Sequence, residues 1–366
     1  QNDYEVARKY LSGEIASGWN PSAELLVGNT KPVVNISGTN DATVTFEASA
    51  RVDELGRYQE FVPSISRVLN FRFVIENGEW RISQAPNVTV LVRPIFDVLF
   101  RSYSLYFYDN QERYLVPDTP WFATRISTST RLASALLSGP DSWLRDAVKS
   151  AFPMGTQLAL DSVLVQDGVA IVDLDGSANS TTVSQRQRML VQLTATLTQL
   201  PSVFAVQIKI DGVPQNITNL PYQVSLANNP DPIVLTADGF RQLSINATPM
   251  TRASEAAKAW RAYEFAINNQ QTLLALLGPQ GVGLSRLVGG KSETVTIDSR
   301  PDLLAPVIDP QGYIWTLGSL NASELAAHDS SGNQRFATLG WLGQAEHLGF
   351  SISREGSRIA FLLGYP

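Results

Sequence analysis

The sequence predicts a multidomain protein: an α+β module, a second α+β module, and an all-β module built from a repeated hairpin. Three observations carry this. A helix-period opening leads into strands closed by an Asn-Gly hairpin at Val74–Ile82. A capped amphipathic helix sits between an Asp-Gly hairpin and an alternating strand in the middle of the chain. Near the end, a strand–turn–strand pattern begins at Phe265, again at Pro306 and again at Phe350, about 41 and then about 44 residues apart.

In the first module, Tyr4, Ala7, Tyr10 and Leu11 recur at helical spacing, and one helix leads to Trp19-Asn20-Pro21. Thr43, Thr45 and Glu47 then alternate with Val44, Phe46 and Ala48, the period of a half-buried strand. Asn77-Gly78 supplies the two residues that tolerate positive φ in a two-residue turn. The module is expected to span 1–86.

The middle module, expected over 87–239, repeats a hairpin-then-helix layout. "SYSLYFYDNQERYLVP" precedes the helical stretch "STRLASALLSGPDSWLRDAVKSAFP", and a hairpin turning at Asp167-Gly168 precedes a second helix. Thr182 with Gln185 forms a capping box for that helix. Leu190, Leu193, Leu197 and Leu200 form its buried stripe, and Pro201 stops it. In the strand that follows, Phe204, Val206, Ile208 and Ile210 share one face, opposite Gln207 and Lys209. Helices against one face of a largely antiparallel sheet are expected.

The third module is expected over 240–366. The repeat spacing is that of a four-stranded propeller blade, and propellers close with about four to eight blades. The expectation is therefore the opening blades of an unfinished propeller, and an N-terminal module that also lacks its beginning. The segment "LANNPDPIVLTADGFRQL", with Pro230 and Pro232, reads as the linker ahead of it.

Composition narrows the function classes. With 44% hydrophobic and 17% charged residues the chain is an ordinary folded protein. A net charge of −6 and the lack of a Lys/Arg stripe argue against a nucleic-acid partner. The absence of cysteine excludes disulfides, thiolate metal sites and cysteine nucleophiles. No apolar stretch reaches the roughly 18 residues of a transmembrane helix.

"NGEWRI" resembles the closing strands of nuclear-transport-factor-like domains. "FPMGTQLALDSVLVQDGVAIVDLDGSANS" followed by "QRQRMLVQLTATLTQLPSVFAVQIKIDG" resembles the GerMN domain, and Leu115-Val116-Pro117-Asp118 with "LLSGP" fits the same pattern. The order of the three modules resembles the LpqB lipoprotein family of actinobacteria. That resemblance implies a signal peptide and lipid-modified Cys upstream of Gln1. It also implies a place on the outer face of the cytoplasmic membrane. The implied partner is the extracytoplasmic domain of the sensor kinase MtrB, whose MtrA–MtrB signalling such proteins modulate.

The residues themselves offer little chemistry. His328 and His347 read as loop histidines between strands, with Asp329 no evidence of a triad. Asp173-Leu174-Asp175-Gly176-Ser177 lacks the distal ligands of a calcium loop and reads as a strand end turning into a helix. Gly278-Pro279-Gln280-Gly281-Val282-Gly283 lacks the Lys-Ser/Thr of a phosphate loop and reads as a blade connection. Trp260, Trp315 and Trp341 read as blade core rather than a sugar-stacking surface. Sequons at Asn35, Asn87, Asn179, Asn216, Asn246 and Asn321 matter only in a glycosylating pathway. No catalytic, cofactor-binding or metal-binding residue is assigned, and no interface residue is named. The expected function is non-enzymatic protein binding, with no cofactor and no nucleic acid. The alternative is a propeller lipoprotein that binds or hydrolyses a cell-wall sugar or peptide.

Overall fold

A computed structural model describes residues 4–124, 128–218, 220–222, 231–243, 249–289, 293–320 and 324–364. Two compact units are present: 1–107 with 117–145 and 150–221, and 108–116 with 146–149 and 222–366.

The first unit opens with two single-turn helices, α1 (Glu5–Arg8) and α2 (Gly13–Ala16), instead of the longer helix the spacing predicts. Backbone pairing decides this. The Ser12 amide donates to the Ile82 carbonyl and the Ile82 amide donates to Tyr10, both at 2.8 Å, so residues 10–12 run extended beside a strand. Leu11 is buried there and Tyr10 is exposed.

A six-stranded sheet follows: β1 (Glu24–Gly28), β2 (Val33–Ser37), β3 (Asp41–Asp53), β4 (Tyr58–Glu76), β5 (Glu79–Gln84) and β6 (Thr89–Val92). Its order is β5-β4-β3-β1-β6, with β2 also on β3; β1 and β6 are parallel. Asn77 (φ 54°) and Gly78 (φ 82°) make the expected hairpin turn. In β3 the predicted alternation holds: Phe46, Ala48, Ala50 and Val52 are buried while Glu47 and Arg51 are exposed. Strand β1 is buried on both faces, Leu25 and Val27 against Phe96 and Val52, Leu26 against Phe46 and Leu69.

Helix α3 (Arg93–Leu99), with a proline in its first turn, leads through β7 (Phe100–Ser102), β8 (Leu105–Asp109), β9 (Leu115–Asp118) and β10 (Trp121–Ala123) to α4 (Thr128–Leu137). Strand β10 pairs antiparallel with β7. Helix α4 stops at Leu137, short of the predicted extent, because Gly139 (φ 89°) and Pro140 follow. The rest of that stretch supplies β11 (Val148–Lys149), which joins the sheet β11-β8-β9.

The middle sheet has the order β12 (Leu164–Gln166), β13 (Val169–Leu174), β14 (Ala205–Ile210), β15 (Val213–Pro214). Helix α5 (Val183–Leu197) connects β13 to β14, and its predicted capping box is formed. A helix between neighbouring strands returns the chain to the same end, so β13 and β14 are parallel, while β12–β13 and β14–β15 are antiparallel and the sheet is largely antiparallel as expected. Leu190, Leu193, Leu197 and Leu200 are buried, as are Ile208 and Ile210. Phe204 is exposed, contrary to expectation: it precedes β14, and its ring lies over Gly168, where a Cβ would come within 1.8 Å of it.

Sequence reading missed the polar side of α5. Gln192 is fully buried; its Nε2 donates to the Tyr106 carbonyl (2.7 Å) and its Oε1 accepts from the Ala151 amide (2.5 Å). Thr196 Oγ1 accepts from the Tyr106 amide. Gln199 pairs with both the amide and the carbonyl of Ser104. The helix thus satisfies backbone groups of 104–106 as a neighbouring strand would.

In the second unit, hairpin β16 (Ile233–Thr236) and β17 (Gly239–Gln242) packs with α6 (Thr251–Trp260). Two four-stranded antiparallel sheets follow in sequential order. The first is β18 (Glu264–Ile267), β19 (Leu273–Gly278), β20 (Gly281–Arg286), β21 (Thr294–Asp298). The second is β22 (Val307–Ile308), β23 (Ile314–Thr316), β24 (Glu324–His328), β25 (Gln334–Thr338). The hairpin β26 (Glu346–Ile352) and β27 (Ile359–Gly364) is third.

Sequential antiparallel order is what a propeller blade requires. The repeat has a shared turn chemistry. The Asn268 side chain accepts from the amides of Thr272 and Leu273, Asp309 from Gln311 and Tyr313, and Ser353 from Arg358.

Two predictions follow from the middle module. Leu193→Ala removes a fully buried side chain and is expected to cost about 2–5 kcal/mol in urea unfolding. Gln192→Leu leaves the Tyr106 carbonyl and the Ala151 amide unpaired; each lost buried partner costs about 1–3 kcal/mol, so the same assay should show a loss despite the gain in apolar volume.

Candidate functional site

The first unit holds a cavity of about 430 Å³. Its floor is sheet: Leu25 from β1, Val52 from β3, Thr89 and Leu91 from β6. Phe100 on β7 and Trp121, Phe122 and Ala123 on β10 form one wall, and Thr130, Arg131, Ser134 and Ala135 on α4 form another. The β3–β4 turn, Asp53 to Gly56, and residues near Asn20 close the rim.

The aromatic wall is fixed from behind. Phe96, fully buried on α3, stacks on Phe100 (5.1 Å, 17°) and packs tilted on Trp121 (5.1 Å). Tyr58 meets Trp121 at 5.5 Å. Arg93 lies over the rings of Tyr58 and Phe96, donates to the Tyr58 hydroxyl at 2.8 Å, and pairs with Asp97. Burial pushes the Tyr58 phenol up, although Arg93 pulls the other way. Gly56 (φ 83°) permits the close seat of the turn: a Cβ there would stand 2.8 Å from the Trp121 carbonyl and 3.0 Å from the Phe122 ring. The Trp121 amide donates to Gly56 at 2.7 Å.

Most polar side chains of the lining are already engaged. Asp53 Oδ1 accepts from the amides of Leu55 and Arg57. Thr130 Oγ1 accepts from the Val163 amide, and Thr89 donates to the Pro21 carbonyl. The cavity's lining is mostly apolar, with Glu54, Arg131 and Ser134 as its further polar side chains.

The residues weighed from sequence lie elsewhere. His328 is not in a loop; it is fully buried at the end of β24. Its Nε2 is 3.0 Å from Thr316 Oγ1, which in turn hydrogen-bonds Asp298 Oδ2 at 2.5 Å. Arg300 donates to both Asp298 oxygens, to Thr316 Oγ1 and to the carbonyl of Glu324. The cluster therefore ties the end of β21 to β23 and β24. Burial alone would raise the Asp298 carboxyl, but the His328 ring 3.7 Å away and hydrogen bonds from Arg300 and Thr316 outweigh it and hold the group far below the usual range.

This cluster is a structural clamp: its hydroxyl and imidazole are sealed from substrate. Asp329 takes no part in it and instead accepts from the amides of Ser331 and Asn333. No sequence signal marked Asp298, Thr316 and Arg300, because the cluster forms only when neighbouring sheets meet. His347 is likewise in a strand and buried, its ring nitrogens 2.7 Å and 2.8 Å from the carbonyls of Gly318 and Leu342.

Asp175 caps the turn Gly176–Ser180, as expected of a strand end. Among the described residues no group of three His, Cys, Asp or Glu could hold a metal. Gly278–Gly283 is the expected strand connection. Its glycines seat Trp260, since a Cβ at Gly278 or Gly283 would come within 2.8 Å of the indole ring. Trp260 is buried and Trp315 half-buried, whereas Trp341 is 56% exposed and is not blade core. Asn246 and Asn321 lie outside the described residues, as does Pro230.

Residues 1–97 match the family described as lipoprotein LpqB, N-terminal domain, and residues 104–216 match the family described as sporulation and spore germination, the Germane or GerMN domain. The chain is similar to lipoprotein LpqB of Bifidobacterium longum, 27% identical over 369 residues that cover 98% of this chain and 63% of that protein. It is also similar to lipoprotein LpqB of Thermobifida fusca, 31% identical over 228 residues, 58% of this chain and 36% of that protein. The chain therefore spans less than two thirds of the length of these curated relatives. Among solved structures it is similar to the first GerMN domain of the sporulation protein GerM from Bacillus subtilis, at 23% identity, covering 34% of this chain and 98% of that one, with a TM-score of 0.28. The curated relatives are named as lipoproteins and not as enzymes. No helix among the described residues is long and apolar enough to cross a membrane.

The clamp gives a pH prediction. Asp298 titrates lower when folded than unfolded, so its contribution is complete above the ordinary carboxylate pKa of about 4 and is lost as pH falls below it. Urea unfolding of the wild type should therefore weaken from about pH 4 downward, with a shallower acid slope in Asp298→Asn. Asp298→Ala strands Arg300 and is expected to cost about 3–5 kcal/mol at neutral pH.

Proposed function

We propose that this chain is part of a non-catalytic, lipid-anchored extracytoplasmic protein that binds the extracytoplasmic domain of the sensor kinase MtrB and modulates MtrA–MtrB signalling. The observation that carries this reading is the succession of an LpqB N-terminal domain and a GerMN domain on a chain similar to LpqB lipoproteins over nearly all its length. The chemistry agrees with it. The buried ion cluster is consumed in holding strands, and the cavity of the first unit is mostly apolar.

In this reading three modules present surface: 1–86, nuclear-transport-factor-like; 87–239, GerMN-like with its linker; and 240–366, the opening blades of a propeller. The anchor lies upstream of Gln1. A stable protein partner needs about 1,000 Å² or more of buried interface with apolar anchors and a polar rim. The alternative, a lipoprotein that takes up or hydrolyses a cell-wall sugar or peptide through its propeller, differs in its ligand.

The test is calorimetric titration of the MtrB extracytoplasmic domain with the complete ectodomain of the protein and, in parallel, with this chain. Saturable binding of the ectodomain is the expected outcome. Binding by the ectodomain but not by this chain would place the contact outside residues 1–366. Absence of binding by both, together with binding or turnover of muropeptides, would replace this reading with the alternative.

A further inference from the structure

We propose that the cavity beside the first sheet is a binding site for the hydrocarbon chain of a small single-chain amphiphile. Its volume, about 430 Å³, falls within the range of small-molecule sites. The inference is independent of the kinase reading and concerns a different surface.

The chemistry of the lining selects the ligand class. Leu25, Val52, Leu91, Phe100, Phe122 and Ala135 present carbon from three sides. A sugar or a peptide would bring hydroxyls or amides that need partners, and a buried polar group without one is rejected strongly. Several polar side chains of the lining are committed to the fold, the Asp53 carboxylate to two amides, the Thr130 hydroxyl to Val163 and the Thr89 hydroxyl to Pro21, while the lining also carries Glu54, Arg131 and Ser134, polar groups suited to an amphiphile's head. A hydrocarbon chain asks for none of these. The Trp121 ring lines the same cavity, and its indole N–H is a donor of the kind an oxygen of the amphiphile's head requires. The ring itself is held in place by Phe96 and Tyr58, so the wall is formed before a ligand arrives.

The test uses this chain and the dye N-phenyl-1-naphthylamine, with dodecanoate, lysophosphatidylcholine and a disaccharide of N-acetylglucosamine as competitors below any aggregation threshold. Saturable dye emission, displaced by the two amphiphiles and untouched by the disaccharide, is expected. Displacement by dodecanoate alone would identify a free fatty acid, and by both a chain shared with lipid; either supports the site. Ala135→Leu and Leu91→Trp fill the cavity from opposite walls and should weaken dye binding at least tenfold while the thermal midpoint is kept. Should one variant fail to fold, the other carries the same readout. Trp121→Phe should abolish any ligand-dependent change in intrinsic emission that arises at this ring. No dye binding, binding unchanged in folded cavity-filling variants, or displacement by the disaccharide would overturn the proposal.

Discussion

Backbone groups at the ends and edges of sheets must find partners, and much of this molecule is arranged around that requirement. At Ile82 the partner is the backbone of residues 10–12, which costs the chain its predicted first helix. At Ser104 and Tyr106 it is the amide and hydroxyl side chains of helix α5. At Glu324 it is the guanidinium of Arg300, itself fixed by Asp298. Short strands joined by turns leave many such groups, and each is met by whichever donor or acceptor the next element brings.

That requirement accounts for where the ionisable residues went. Asp298, Arg300, Thr316 and His328 have the residue types of a catalytic cluster, yet their hydrogen bonds run between strands, and Asp298, Thr316 and His328 are buried. The same holds in milder form for Asp118, whose carboxylate caps the Asp141 amide and is pushed up by burial and by the neighbouring Asp141 charge. Perturbed titration here marks architecture rather than chemistry. The cavity of the first unit is mostly apolar, walled by Phe100, Trp121 and Phe122, against which Gly56 lets the β3–β4 turn sit closely.

Local chemistry was legible in the sequence wherever a few consecutive residues decide the outcome. Asn77-Gly78 and Asp167-Gly168 turn because adjacent residues accept positive φ. Thr182 and Gln185 cap α5 within one turn. The Leu190–Leu200 stripe and the alternation of β3 each report one buried face, and the terminal repeats are legible because a strand–turn–strand pattern recurs from Phe265, Pro306 and Phe350.

What tertiary structure alone decided depends on residues far apart in the chain. The parallel pairing of β13 and β14, the exposure of Phe204 and Trp341, and the burial of both histidines are set by which elements meet, not by local period. Gln192 and Gln199 look like a solvated helix face until the backbone of 104–106 lies against them. The cavity draws Leu25, Val52, Leu91, Trp121 and Ala135 from five separate elements. The sequence by itself therefore determined turns, caps, strand periods and the kinship of its modules. The pairing of distant polar groups, and the cavity of the first unit, had to await packing, because a hydrogen-bond partner or a cavity wall is defined by position in space and carries no periodicity along the chain.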